Sequence, residues 1–185
     1  MRQSMTVTLF CLLTLFGCTR QKKVSTAVTF NSVPDEKLEQ AVIDNIESKM
    51  NDDFSNEEMI VRDLPKWQKA VYVTWILEAE VSNGGFNQFY YNSSGQFADL
   101  SEEAFTSIGA VKFAQLVHQA NLVYDSIKDD LAKYNDGSLE SFSKSYESNP
   151  LNDLDTKFYE LEKTEELSAL RIKYIRDNIK NLETK

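Results

Sequence analysis

From about residue 34 onward the apolar residues recur every three or four positions, and no stretch alternates with period two for long enough to be a strand. Leu38, Val42, Ile46 and Met50 keep that spacing. So do Trp67, Val71 and Trp75, with Tyr72, Ile76 and Ala79 widening the stripe, so this helix is expected at the centre of the core. Ala104, Phe105 and Ile108 begin a pattern that Gly109 interrupts. It resumes at Phe113, Leu116, Val117, Ala120, Tyr124, Ile127 and Leu131. Phe158 and Leu161 mark a short helix, and Ile172, Ile175, Ile179 and Leu182 line one face of a last one.

The punctuation agrees with this period. Ser32-Val33-Pro34-Asp35 and Ser55-Asn56-Glu57-Glu58 read as capped helix starts, and Pro65 opens the central helix. Asn135-Asp136-Gly137 is a turn, residues 138–148 form one short helix closed by Asn149-Pro150, and Thr164 is placed to cap the last helix. Phe89-Tyr90-Tyr91 is the one rival for a strand. The expectation is an all-α fold, a single compact multi-helix domain over residues 34–185 without internal repeats.

The first seventeen residues are of another kind. A cation at Arg2, an apolar run from Met5 to Phe16 and then Gly17-Cys18 make an export signal, too short to span a bilayer as a mature helix. Leu15-Phe16-Gly17-Cys18 resembles the bacterial lipoprotein signal, which implies that residues 1–17 are removed and Cys18 becomes the acylated N-terminus. Residues 18–33, rich in Gln, Lys, Ser and Thr, read as a flexible tether from lipid to domain. Arg20, Lys22 and Lys23 stand where they can lie against anionic headgroups, or simply in solvent. The expected location is the cell envelope, lipid-anchored, at the outer membrane if the cell is Gram-negative. Cys11 leaves with the signal and Cys18 carries lipid, so the core is expected to hold without disulfides.

Charge and composition then exclude several chemistries. The chain carries 20 Lys+Arg against 29 Asp+Glu; loss of Arg2 takes the net charge from −9 to −10. Such an excess of carboxylates repels phosphate backbones, so no direct nucleic-acid partner is expected. One His and two Cys leave no set for zinc, and Asn135-Asp136-Gly137 lacks the preceding acids of a calcium loop. No phosphate loop, nucleophile elbow or dinucleotide fingerprint occurs. Glu78 and Glu80, two residues apart on a helix, point in different directions and cannot easily share an acid–base site. No catalytic residue, metal or cofactor is expected.

One segment stands apart. Glu80-Val81-Ser82-Asn83-Gly84-Gly85-Phe86-Asn87-Gln88-Phe89-Tyr90-Tyr91-Asn92-Ser93-Ser94-Gly95 holds three of the six glycines and four of the nineteen Phe and Tyr. Asn83-Gly84-Gly85 can end the preceding helix, Phe86, Phe89 and Tyr90 lie at helical spacing, and Asn92 to Gly95 ends that second piece. Two readings stay open. In one, Asn83, Gln88 and Asn92 supply amides and Phe86, Tyr90 and Tyr91 supply walls for a small-molecule or peptide pocket. In the other, Asn83, Asn92, Ser93 and Ser94 satisfy backbone groups at helix ends and the aromatics are core.

This motif, followed by Ala104 and Ile108-Gly109-Ala110, resembles the DNA mimic protein (DMP) family, also known as a domain of unknown function. The similarity runs over roughly residues 64–124. It implies an acidic, all-helical protein; a founding member presents carboxylates as counterfeit phosphates to a helix-turn-helix repressor. An exported, lipidated chain does not meet such repressors, and the matching motif is polar-aromatic rather than acidic.

The acids themselves cluster at Asp52, Asp53, Glu57 and Glu58, at Asp99, Glu102 and Glu103, and at Asp129 and Asp130, a candidate acidic surface for a basic protein partner. Interleaved Lys128, Lys133 and the stretch Arg171, Lys173, Arg176 break its continuity. The functional expectation is therefore a membrane-anchored, non-catalytic protein-binding module. The alternatives are a cytoplasmic DNA mimic and a small-ligand binder using Asn83–Ser94.

Overall fold

Two prolines set where the early helices begin. Pro34 stands at the N-cap of α1 (Asp35–Glu47) and Pro65 at that of α3 (Lys66–Tyr91), where a missing N–H costs nothing. Leu64, preceding Pro65, is extended (φ −62°, ψ 150°), so α2 (Glu57–Asp63) must stop before it. The computed structural model describes residues 30–51 and 53–183. Beyond these three helices it contains α4 (Ala98–Ser107), α5 (Val111–Leu131), α6 (Leu139–Lys144), α7 (Asn152–Glu162) and α8 (Leu167–Glu183). Short 3-10 turns lie at Phe30–Ser32, Phe54–Asn56, Ser93–Phe97 and Ala132–Tyr134, and no strand occurs among the described residues. They form one compact all-α domain, as the periodicity predicts.

α3 is the axis of the domain, packing against α1, α4, α7 and α8. Its burial is broader than the expected stripe. Ala70, Val71, Tyr72, Val73 and Thr74 are all buried in succession, and the inner line continues through Leu77 and Val81. Trp67, Trp75 and Ile76 are only partly buried and Ala79 is exposed. A helix enclosed from several sides loses its amphipathic signature, which is why the stripe was misplaced. Aromatic edges tie the other helices to it. Phe158 of α7 meets Phe86 of α3 at 5.8 Å and Phe113 of α5 at 5.0 Å, both edge-on, and Phe113 stacks on Phe105 of α4 at 5.8 Å.

Helix ends depart from expectation in several places: α1 takes Pro34 rather than Ser32 as its N-cap, and α6 stops at Lys144 instead of running over 138–148. Asp53, not Ser55, caps the turn before α2, its carboxylate accepting the Ser55 N–H at 3.0 Å. Thr164 does not cap α8; its hydroxyl donates back to the Leu161 carbonyl of α7. Phe30 to Val33, assigned above to the tether, pack on the domain. Phe30 meets Trp67 edge-on at 6.1 Å, and Arg176 donates to the carbonyls of Phe30 and Val33. Residues 1–29, with the signal and Cys18, lie outside the described residues, as does Asp52. No described helix is long and apolar enough to cross a membrane.

Candidate functional site: the break in the central helix

The motif bends α3. Gly84 (φ −157°, ψ 25°) and Gly85 (φ 73°, ψ 179°) leave helical geometry, and the chain resumes its helix at Phe86. Gly85 lies in the left-handed region, and a Cβ there would come within 2.3 Å of the Asp155 carboxylate. The break exposes backbone groups that a continuous helix would pair, and distant side chains take them up. Asp155 of α7 accepts the Phe86 N–H at 2.7 Å, capping the second half of α3 from 69 residues away. Tyr159 donates to the Val81 carbonyl at 2.9 Å and Tyr146 to the Gly84 carbonyl at 2.8 Å. Burial pushes the Asp155 carboxyl above its ordinary value, and the Phe86 N–H partly opposes that rise. Burial also raises the hydroxyls of Tyr146 and Tyr159.

The motif's own polar residues do something else. Glu80, one turn before the break, accepts Gln88 Nε2 at 2.7 Å and Asn92 Nδ2 at 2.8 Å on one oxygen, and Ser94 Oγ at 2.7 Å on the other. Residues 80 and 88 of a straight helix stand about 12 Å apart along its axis. The kink at Gly84-Gly85 brings their side chains together. Gln88 crosses over Gly84 to do so: a Cβ on Gly84 would lie 2.2 Å from Gln88 Oε1. Asn92 and Ser94 therefore serve a carboxylate rather than helix-end backbone, and Asn83 and Ser93 are exposed. Glu80 opens the motif, yet its central role was not foreseen.

Two concavities flank the second half of α3. On one side Asn83, Gln88, Tyr91 and Asn92 lie with Gly137, Ser138, Leu139 and Phe142 along an open groove of about 300 Å³. Tyr91 and Phe142 form its aromatic part, with ring centres 4.5 Å apart. On the other side Asn87, Tyr90, Tyr91 and Tyr124 border a recess of about 110 Å³. There Tyr90 stacks on Tyr124 at 4.0 Å and donates to Asn121 at 2.7 Å. Asn87, buried, donates to Ser145 and accepts from Asn149. Phe86 is wholly buried and belongs to the core, not to either wall.

Glu78, two residues before Glu80, faces the opposite interior. Arg171 of α8, 2% exposed, donates to Glu78 and, at 2.8 Å, to Glu39 of α1. Burial raises the Glu78 carboxyl while Arg171 opposes the rise. Arg171, read from sequence as part of a surface basic stretch, is instead a buried cation shared by two partly buried carboxylates.

The predicted acidic surface is largely partnered within the domain. Glu57 is not on the surface: it is 7% exposed and accepts Tyr72 Oη at 2.7 Å and Gln96 Nε2 at 3.1 Å. Arg62 bridges Glu58 and Asp99, each at 2.9 Å. Glu102 pairs with the exposed His118 at 2.9 Å, Glu103 with Lys66 at 2.7 Å, and Asp130 with Lys133. Asp53 serves its turn, which holds its carboxyl below the ordinary value. Asp129 is exposed on α5. Among the described residues no three of His, Cys, Asp and Glu gather as metal ligands.

No curated protein and no solved structure matches the chain significantly. The family model for DMP19-like proteins matches residues 62–178, a span holding the broken helix, the Glu80 network and Asp155 with both tyrosine caps. The chain thus belongs to the DMP19-like protein family.

Proposed function

We propose that this protein is a lipid-anchored, non-catalytic domain of the envelope that binds a basic protein partner. The observation that carries the reading is how the charges are spent. Exposed cations such as Lys66, Lys112, Lys128 and Lys133 each sit against a carboxylate of the same domain. The anionic surplus is left outward on residues such as Glu36, Asp129, Glu147 and Asp153, none of which has an ion pair among the described residues. A field of that sign attracts basic surfaces and weakens as salt screens it. The lipoprotein-like Leu15-Phe16-Gly17-Cys18 supplies the anchor.

Metabolic labelling with radioactive palmitate, comparing wild type with Cys18→Ser, tests the anchor; label lost in the variant supports it. A low-salt pull-down from envelope extracts then tests the partner, which salt must release. A second reading, a cytoplasmic DNA mimic, rests on the DMP19-like match and the acidity. It takes over if neither protein incorporates label. The interleaving of Arg62, Lys66 and His118 among the acids argues against a continuous phosphate-like array.

A further inference from the structure

The groove beside the break has an electrostatic sense set by Glu80. An ionised carboxylate only accepts hydrogen bonds, so Gln88 and Asn92 must turn their NH₂ groups to it. The planar amides then carry their carbonyl oxygens on the side away from Glu80, Gln88 Oε1 lying over Gly84, and both residues line the groove. No bond among the described residues uses Gln88 Oε1 or Asn92 Oδ1. The groove is therefore bordered by two residues with unused amide acceptors, and behind them stands a carboxylate whose three partners are all neutral. Its aromatic part is the Tyr91–Phe142 pair, and Leu139, 84% exposed, stands at its edge. Acceptors, a negative charge behind them and aromatic faces together suit one chemical class: a cation on an aliphatic stem.

We propose that this groove receives a Lys or Arg side chain from an extended basic segment of the partner protein. The guanidinium or ammonium donates to the amide oxygens of Gln88 and Asn92 and lies against Tyr91, while Leu139 covers the stem. α6, which forms the opposite wall, has no fully buried residue, and Gly137 before it sits at φ 81°. That wall can adjust to a bound chain at little cost in packing. The inference deepens the protein-binding reading and rests on it.

The test uses the full chain in detergent micelles and a fluorescent Arg-containing peptide, with the same peptide carrying neutral, near-isosteric citrulline as control. The Arg peptide is expected to bind, to weaken with salt, and to exceed the citrulline peptide. Tyr91→Leu is expected to weaken it by roughly threefold to tenfold, the range of a partly desolvated cation–aromatic contact. Leu139→Ser, at an exposed position that leaves the melting temperature unchanged, should weaken it to a smaller degree. Asp177→Asn, at an exposed carboxylate already paired with Lys173, should leave it as in wild type. Equal binding of the citrulline peptide, or loss in Asp177→Asn without loss in Tyr91→Leu and Leu139→Ser, overturns the groove. If an envelope partner is still captured in a salt-sensitive way by Tyr91→Leu, only the groove fails; if no partner is captured by wild type, the binding reading itself fails.

Discussion

Glu78 and Glu80 sit two residues apart on one helix and are satisfied by opposite means. Glu78 shares the buried Arg171 with Glu39, so its charge is met inside the domain by a cation. Glu80 is met by two amides and a hydroxyl, which satisfy its lone pairs but leave its charge uncompensated. The first arrangement fastens α8 to α1 and α3 and leaves the buried Arg171 Nη1 without a hydrogen-bond partner among the described residues. The second fastens the break and leaves the Gln88 and Asn92 amide oxygens without a partner among the described residues. The contrast separates a structural ion cluster from a junction suited to recognition, although neighbouring sequence looks equally acidic at both.

The largest expected effect lies on the structural side. Arg171→Met strands two partly buried carboxylates and is expected to cost about 3–5 kcal/mol in thermal or denaturant unfolding. If it costs no more than Glu80→Gln does, the distinction between the two sites is wrong. Gly85→Ala comes next. It forces a side chain into φ 73° and into the Asp155 carboxylate, which must withdraw from the Phe86 N–H. A loss of about 3 kcal/mol is expected, from backbone strain together with an orphaned buried donor. Glu80→Gln keeps the shape but weakens three hydrogen bonds, for about 1–3 kcal/mol.

The smallest effect is a pH dependence. The Glu78 carboxyl is raised in the folded state by burial, so the folded chain binds that proton more tightly than the unfolded chain. Its contribution is full below the ordinary Glu value of 4.5 and is lost as pH rises through the higher folded value. Relative to wild type, Glu78→Gln is therefore expected to gain stability as pH rises from 4.5 toward neutrality. A wild-type-minus-variant difference that is flat, or opposite in slope, contradicts the assignment of Glu78 as the destabilised partner.

The helices were legible where period and punctuation agree, as at Pro34, Pro65 and Gly109; Asn149-Pro150 closes no helix, since α6 stops at Lys144 and α7 starts at Asn152. The break at Gly84-Gly85 was legible for the same reason, since paired glycines after Asn offer what a helix end requires. What closes the break was not. Asp155, Tyr146 and Tyr159 come from 62 to 78 residues away along the chain, and no local pattern encodes that pairing. Glu57 misled because a first-turn acid is ordinary at an exposed helix start, and only Tyr72 and Gln96 reveal its burial. Arg171 had a signal that went unused. It continues the step of four through Leu167, Ile175 and Ile179, all buried, so its place was on the inner face of α8.

The central claim is that Glu80, not Glu78, governs recognition of a basic segment. Titration of the fluorescent Arg peptide into Glu80→Gln and Glu78→Gln, each checked for an intact helical spectrum, measures that difference directly. The account predicts that Glu80→Gln weakens binding several-fold, because both backing charge and amide orientation are lost, while Glu78→Gln binds as wild type does. Equal affinities for the two variants, or a larger loss in Glu78→Gln, would contradict it.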